Sequence, residues 1–322
     1  MKSHFVKPKS LYYFSLFTAF FTLLLIAAGS LVMSTGAGLT IPTWPLPSNL
    51  FPPFKGVLWF EYGHRILAGT DSILTILLAF FIFKFNFEKP VKWLGLTAVA
   101  AIISQALLGG ITVLYGLPFD ASTAHAALAQ IFFCIMVSIA YFTSPFTVKQ
   151  GVSVNKVLEK RIVWLKRLTL ITPLLIYVQI LMGAFVRHLD AGLAISTFPL
   201  AFGHFFPPGS DLSFRVLMNF LHTRIGGFFV LIFVLETSWL GLSFPNLKTI
   251  SQVNFILVFL QILLGIGIVL TGKETLFTTF HVAFGALLLA LNFLLAIKVR
   301  VELNFAPSAA AKNEAAVSSM KG

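Results

Sequence analysis

Charge is scarce in this chain. Only 11% of its 322 residues are Asp, Glu, Lys or Arg, whereas a soluble domain carries about 25%. That shortfall excludes a water-soluble globule. Acids are the rarer sign, 11 against 23 basic residues. Cysteine is almost absent. Cys134 is the only one, so no intrachain disulfide and no cysteine-based metal site can form.

What fills the sequence is apolar: 57% hydrophobic residues, 36 of them Phe. Eight apolar stretches run over about 11–33, 60–83, 93–114, 122–143, 168–186, 217–241, 252–271 and 277–298. Each is long enough to cross a hydrocarbon core of roughly 30 Å as a helix. The first is too long for a cleaved signal peptide, and seven more follow it. The expected fold class is an all-α integral membrane protein with eight transmembrane helices.

A net charge of +12 suggests nucleic acid until its distribution is considered. With the N-terminus inside, 17 Lys and Arg fall on the inner segments. The outer side holds only Lys55, Arg65, Arg187, Arg215, Arg224 and Lys273. This is the positive-inside pattern. It places both termini in the cytoplasm of a cell (inner) membrane protein and makes lipid, not nucleic acid, the partner. The tail from Ala306 reads as a disordered cytoplasmic end.

The two halves repeat. Gly36-Ala-Gly-Leu-Thr-Ile-Pro-Thr-Trp-Pro45 matches Asp190-Ala-Gly-Leu-Ala-Ile-Ser-Thr-Phe-Pro199, and Pro52-Pro53 matches Pro207-Pro208. His64-Arg-Ile-Leu-Ala-Gly69 matches His222-Thr-Arg-Ile-Gly-Gly227. The expected architecture is two tandem four-helix bundles related by a pseudo-two-fold axis along the membrane normal, since units of four spans keep one orientation. The units run over 1–143 and 168–300. Between them lies a cytoplasmic linker, 144–167, and after them a tail, 301–322.

Four histidines sit at matching places: His64 and His125, then His222 and His281, 61 and 59 residues apart. His125 and His281 each follow a glutamine by 20 residues, Gln105 and Gln261. All four fall in the first turns of helices running from outside to inside, so they share a depth near the outer face. Zinc would ask for three or four protein ligands, and non-haem iron would add carboxylates. Haem brings four nitrogens of its own and asks for one or two axial ligands. Two histidines per bundle therefore fit haem iron, in the kind of bundle core where such sites are built. Small residues nearby (Gly69, Gly109, Gly110, Gly227, Gly265 and Gly267) allow close approach. Arg65 and Arg224 are the expected counter-ions of the haem propionates, or else helix-end anchors at the head groups. Gln105 and Gln261 read as interhelical hydrogen bonders. His4 belongs to the basic N-terminal arm, and His188 and His204 to an outer loop as surface or lid residues.

The copies differ at one place. Glu61 precedes His64 by three residues, where Asn219 precedes His222. Positions i and i+3 share a helix face, so Glu61 is expected at the His64 site as an acid–base group. The bland reading is an interfacial acid neutralised by Arg65. Asp71 lies deeper on a similar face, a functional candidate by its membrane position or a buried hydrogen bonder. Three functions stay open on these residues: a membrane enzyme acting on haem, a di-haem electron carrier, and a haem chaperone. A carrier would place haems near both membrane faces, and a chaperone gives no reason for Glu61 in one copy only.

The Glu61-x-x-His64-Arg65 motif, the Ala37-Gly38-Leu39 and Ala191-Gly192-Leu193 loops, His125, His222-x-Arg224 and His281 together resemble the haem A synthase family, over nearly the whole chain. The resemblance implies oxidation of the C8 methyl group of haem O to a formyl group, through a hydroxymethyl intermediate, for cytochrome oxidase biogenesis. It implies Glu61 as the catalytic residue. His64, His125 and Arg65 would hold the substrate haem O, and His222, His281 and Arg224 a haem b cofactor. Haem O synthase, oxidase assembly factors and an unidentified electron-transfer partner are the implied partners, and a homo-oligomer is allowed. One departure stands out. Many relatives carry a cysteine pair in the first outer loop, but residues 34–60 here contain none, so no role of that pair applies.

Overall fold

The computed structural model describes residues 8–45, 56–146, 150–152 and 156–305. His4, the Pro52-Pro53 pair, Lys55 and the expected tail from 306 onward lie outside them. Eight helices are long and apolar enough to span a membrane. They are α1 (Lys9–Ser34), α2 (Leu58–Lys84), α3 (Lys89–Leu114), α4 (Phe119–Thr143), α5 (Lys156–His188), α6 (Phe214–Gly241), α7 (Pro245–Leu270) and α8 (Thr275–Glu302). Pro90 and Pro245 open α3 and α7 at their first turns, where a missing N–H costs nothing.

Two boundaries differ from the sequence reading. Helix α5 begins at Lys156, inside the expected linker, because its first turns are charged and lie outside any apolar window. Helix α8 runs on to Glu302, and Leu303–Phe305 pair as a strand, β2, in parallel with β1 (Gln150–Val152). That short ladder ties the middle of the chain to its end.

Within the first half, α1 packs on α2, α2 on α3, α3 on α4 and α4 on α1. The second half repeats this ring with α5, α6, α7 and α8. Neither α2 with α4 nor α6 with α8 is among the closely packed pairs. The histidine-bearing helices therefore stand diagonally across each ring. The halves meet where α8 packs on α1 and α4, and α4 on α5. Half of the span in α4 and 56% in α8 are buried, against 22–33% elsewhere, so these two form the centre. Outward faces present Phe20, Ile73, Trp93, Leu170, Trp239 and Leu263, side chains suited to lipid. Buried hydroxyls satisfy each other between helices, as in Ser15 with Thr143 at 2.9 Å and Thr172 with Thr237 at 2.8 Å. Asp71 is fully buried and accepts from Thr22 of α1, the hydrogen-bonding role its depth suggested.

The loops after α1 and α5 match in backbone. Gly36 and Asp190 both adopt positive φ after α1 and α5. The next amides, Ala37 and Ala191, bond back to Val32 and Val186 at 2.9 and 2.8 Å. Both Trp44-Pro45 and Phe198-Pro199 are cis. Asp190 accepts a 2.6 Å bond from Lys273 of the α7–α8 turn and also faces Arg215. The Lys273 ammonium holds the Asp190 carboxyl below its ordinary range. A lowered carboxyl pKa adds stability above the unfolded value of about 3.9 and loses it as pH falls through the folded value. This tie should therefore loosen in acid. Hydrogen exchange at the α7–α8 turn should rise below about pH 4 in the parent and show no such step in Asp190→Asn.

A candidate pair of haem sites

Each histidine sits in the second or third turn of an even-numbered helix and is half-buried. Each ring lays its Cε1 edge on a glycine of an odd-numbered helix. A Cβ on Gly29 would stand 3.1 Å from His64, on Gly109 3.3 Å from His125, on Gly183 3.0 Å from His222 and on Gly265 3.2 Å from His281. Such contacts are tighter than most Cβ contacts, so a side chain there would make the ring give by a few tenths of an ångström, and glycine lets the rings lie close against the neighbouring helix. His64 and His125 stand on the diagonal helices of one ring, and His222 and His281 on those of the other, which makes two pairs.

The ring nitrogens fit metal ligation. His281 Nδ1 lies 3.1 Å from the Gln261 carbonyl oxygen. As an N–H donor there, it leaves Nε2 free as a ligand. The Nδ1 atoms of His64, His125 and His222 are buried without a partner. No group of three His, Cys, Asp or Glu comes together among the described residues. A metal held here must bring most of its own ligands, and haem iron does. Gly183→Val should push the His222 ring off its seat. If His222 ligates a haem iron, the low-spin haem signal should fall, with an unchanged spectrum counting against this seat.

Gln105 and Gln261 do bond between helices. Their Nε2 atoms donate to the main-chain carbonyls of His125 and His281, each at 3.0 Å. Sequence comparison missed a third. Gln179 of α5 donates to the His222 carbonyl at 2.6 Å. It also missed a π turn, Leu221–Gly226, that interrupts α6 at His222. Such turns absorb one extra residue and concentrate at functional sites. The extra residue is Thr223, which separates His222 from Arg224 where His64 and Arg65 are adjacent.

The π turn restores the register of the arginines. Arg65 donates to the carbonyls of Ile41 and Thr43 at 2.7 and 2.5 Å and to Glu61 at 2.6 Å. Arg224 donates to the carbonyl of Thr197, the counterpart of Thr43, and to Asn219 at 3.2 Å. Both guanidinium groups thus staple an outer loop over a histidine helix. Arg224 keeps a buried Nε without a partner.

Glu61 is buried, 3% exposed. Its second oxygen accepts from the Thr40 hydroxyl at 2.7 Å and the Ile41 N–H at 2.9 Å. Asn219 occupies the matching place, donating to the carbonyls of Ala191 and Gly192 at 2.7 and 3.0 Å. Two further features touch the first site. The Trp44 ring lies against Gly110, where a Cβ would stand 2.8 Å away. Arg187 lies near the end of α5, where Phe185 and His188 pack on Phe119 of α4 with ring centroids 5.0 and 5.3 Å apart. His188 is therefore a helix-end residue rather than a loop one. His204 pairs with Ala201 in the second outer loop.

Eight helices able to span a membrane, with two histidine pairs on the diagonals of two helix rings, define the class: a multi-pass membrane protein with two candidate haem sites. Residues 51–293 match the COX15-CtaA family of cytochrome oxidase assembly proteins, and the chain belongs to that family. It is 29% identical over 286 residues to the heme A synthase of Halalkalibacterium halodurans, covering 85% of this chain and 91% of the relative. To the heme A synthase of Staphylococcus aureus strain MSSA476 it is 28% identical over 264 residues, covering 80% and 84%.

Proposed function

We propose that this protein is a haem A synthase, an oxidoreductase that converts the C8 methyl group of haem O to a formyl group and supplies haem A to cytochrome oxidase. The observation that carries this reading is the asymmetry between two otherwise matched histidine sites. Asn219 staples its loop without an ionisable group, so stapling alone does not require an acid. Glu61 does the same work and can in addition exchange a proton. His64 and His125 would hold the substrate haem, and Glu61 at the wall of that site would take up protons as the methyl group is oxidised. Methyl to formyl, with one oxygen from water, releases four protons and four electrons. The electrons leave to a redox partner.

His222 and His281 would hold a haem b, which supplies one-electron transfer. Arg224 would offer its unpartnered Nε–H, and Arg65, with Arg187 nearby, would offer charge to the propionates of the two haems. The arrangement reads as two tandem bundles with a pseudo-two-fold axis along the membrane normal, a view supported by the two helix rings and the matched loops. The charge pattern supports termini in the cytoplasm and haem sites near the outer face. Haem O synthase and oxidase assembly factors are the proposed neighbours.

The deciding experiment is co-expression with a haem O synthase in a host that makes no haem A, followed by mass analysis of extracted haems. Haem A, or its hydroxymethyl precursor, absent without this protein, is the expected result. Haem O alone beside well-folded, haem-loaded protein would favour an electron carrier or chaperone instead.

A further inference from the structure

The four histidine seats are not equal. Three share a Gln-x-x-x-Gly pair on the neighbouring helix: Gln105 with Gly109, Gln179 with Gly183, and Gln261 with Gly265. The glycine receives the ring, and the glutamine one turn away clamps the carbonyl of the same histidine. At the fourth seat Gly29 keeps the ring contact, but Leu25 stands where the glutamine would be. Leucine has nothing to donate.

The partner position changes with it. A Cβ on Gly226 of α6 would collide with the Gln179 side chain, so the clamp needs glycine there. The equivalent residue of α2 is Leu67. One half thus carries Gln179 with Gly226, and the other Leu25 with Leu67. The π turn around His222 also has no counterpart in α2, which is α-helical throughout.

We infer that Leu25 and Leu67 make the His64 seat the releasable one, and that Gln179 and Gly226 fix the His222 seat against haem loss. These are positioning residues, acting on haem through the histidine they hold or leave free. The inference rests on the proposed assignment of substrate to the first site and resident cofactor to the second, and it explains how one duplicated scaffold serves both. A buried amide–carbonyl bond shifts an equilibrium by about two- to tenfold.

Haem transfer to apomyoglobin, followed on the purified full-length protein loaded with haem b, tests this without turnover. Release should run in two phases. Gln179→Leu should speed the slow phase by about two- to tenfold and leave the fast phase alone. Leu25→Gln with Leu67→Gly should slow the fast phase by a similar factor. Gln179→Asn, which keeps an amide but shortens its reach, serves where the leucine variant does not fold. Single-phase release, or phases unmoved in folded variants, overturns the inference while leaving haem binding intact. A parent protein showing no bis-histidine haem spectrum would instead strike the functional reading beneath it.

Discussion

Glu61→Gln should lower haem A formation by about two to four orders of magnitude, the usual worth of a positioned acid–base group, while haem still binds. The carboxylate accepts from Arg65, Thr40 and Ile41 at once. Glutamine can accept with one atom only and must turn an amide N–H toward a donor. Some loosening of the loop is therefore expected beside the loss of proton exchange. Thr40→Val separates the two effects. It removes a loop bond and keeps the acid, so activity should fall far less than in Glu61→Gln. Equal losses would show that Glu61 serves the loop rather than the chemistry. Haem A formed at the parental rate by Glu61→Gln would remove it from the mechanism altogether.

The second large effect falls on the other site. His222→Met and His281→Met should each abolish the bis-histidine signature of the C-terminal haem while leaving the first site's haem in place. Methionine can still ligate iron, and a His/Met pair raises the potential relative to two histidines. Retained haem with a raised potential, or loss of that haem, would both mark the residue as an axial ligand. A spectrum and potential unchanged in both variants would exclude them.

The sequence announced the eight spans and the four histidines because both repeat. Hydropathy fixes spans by length, and a costly residue in apolar surroundings stands out when it occurs twice in register. What repeats imperfectly was harder to see. Gln179 escaped because its counterpart is Leu25, and a search for matched residues passes over such a pair. The π turn escaped because Thr223 looks like a one-residue misalignment until the backbone shows that Arg224 lands on the loop as Arg65 does. The early start of α5 escaped because Lys156, Glu159, Lys160 and Arg161 form a charged helical lead-in, which a transfer scale scores as loop. The ties of Glu61 to loop 1 depend on a backbone N–H, and no side-chain pattern reveals a main-chain donor.

Helices α4 and α8 exchange side chains across the middle of the molecule. Ala286 and Ala290 of α8 belong to the core of the first half, and Cys134 of α4 belongs to the core of the second. Yet α8 carries His281 and α4 carries His125. On the proposed reading each is thus the ligand arm of one chamber and the wall of the other. Close-packed interiors transmit displacement rather than absorb it. If His281 holds a haem, a tilt of α8 that accompanies a change at that haem would press on the chamber next door, as a common lever moves two valves.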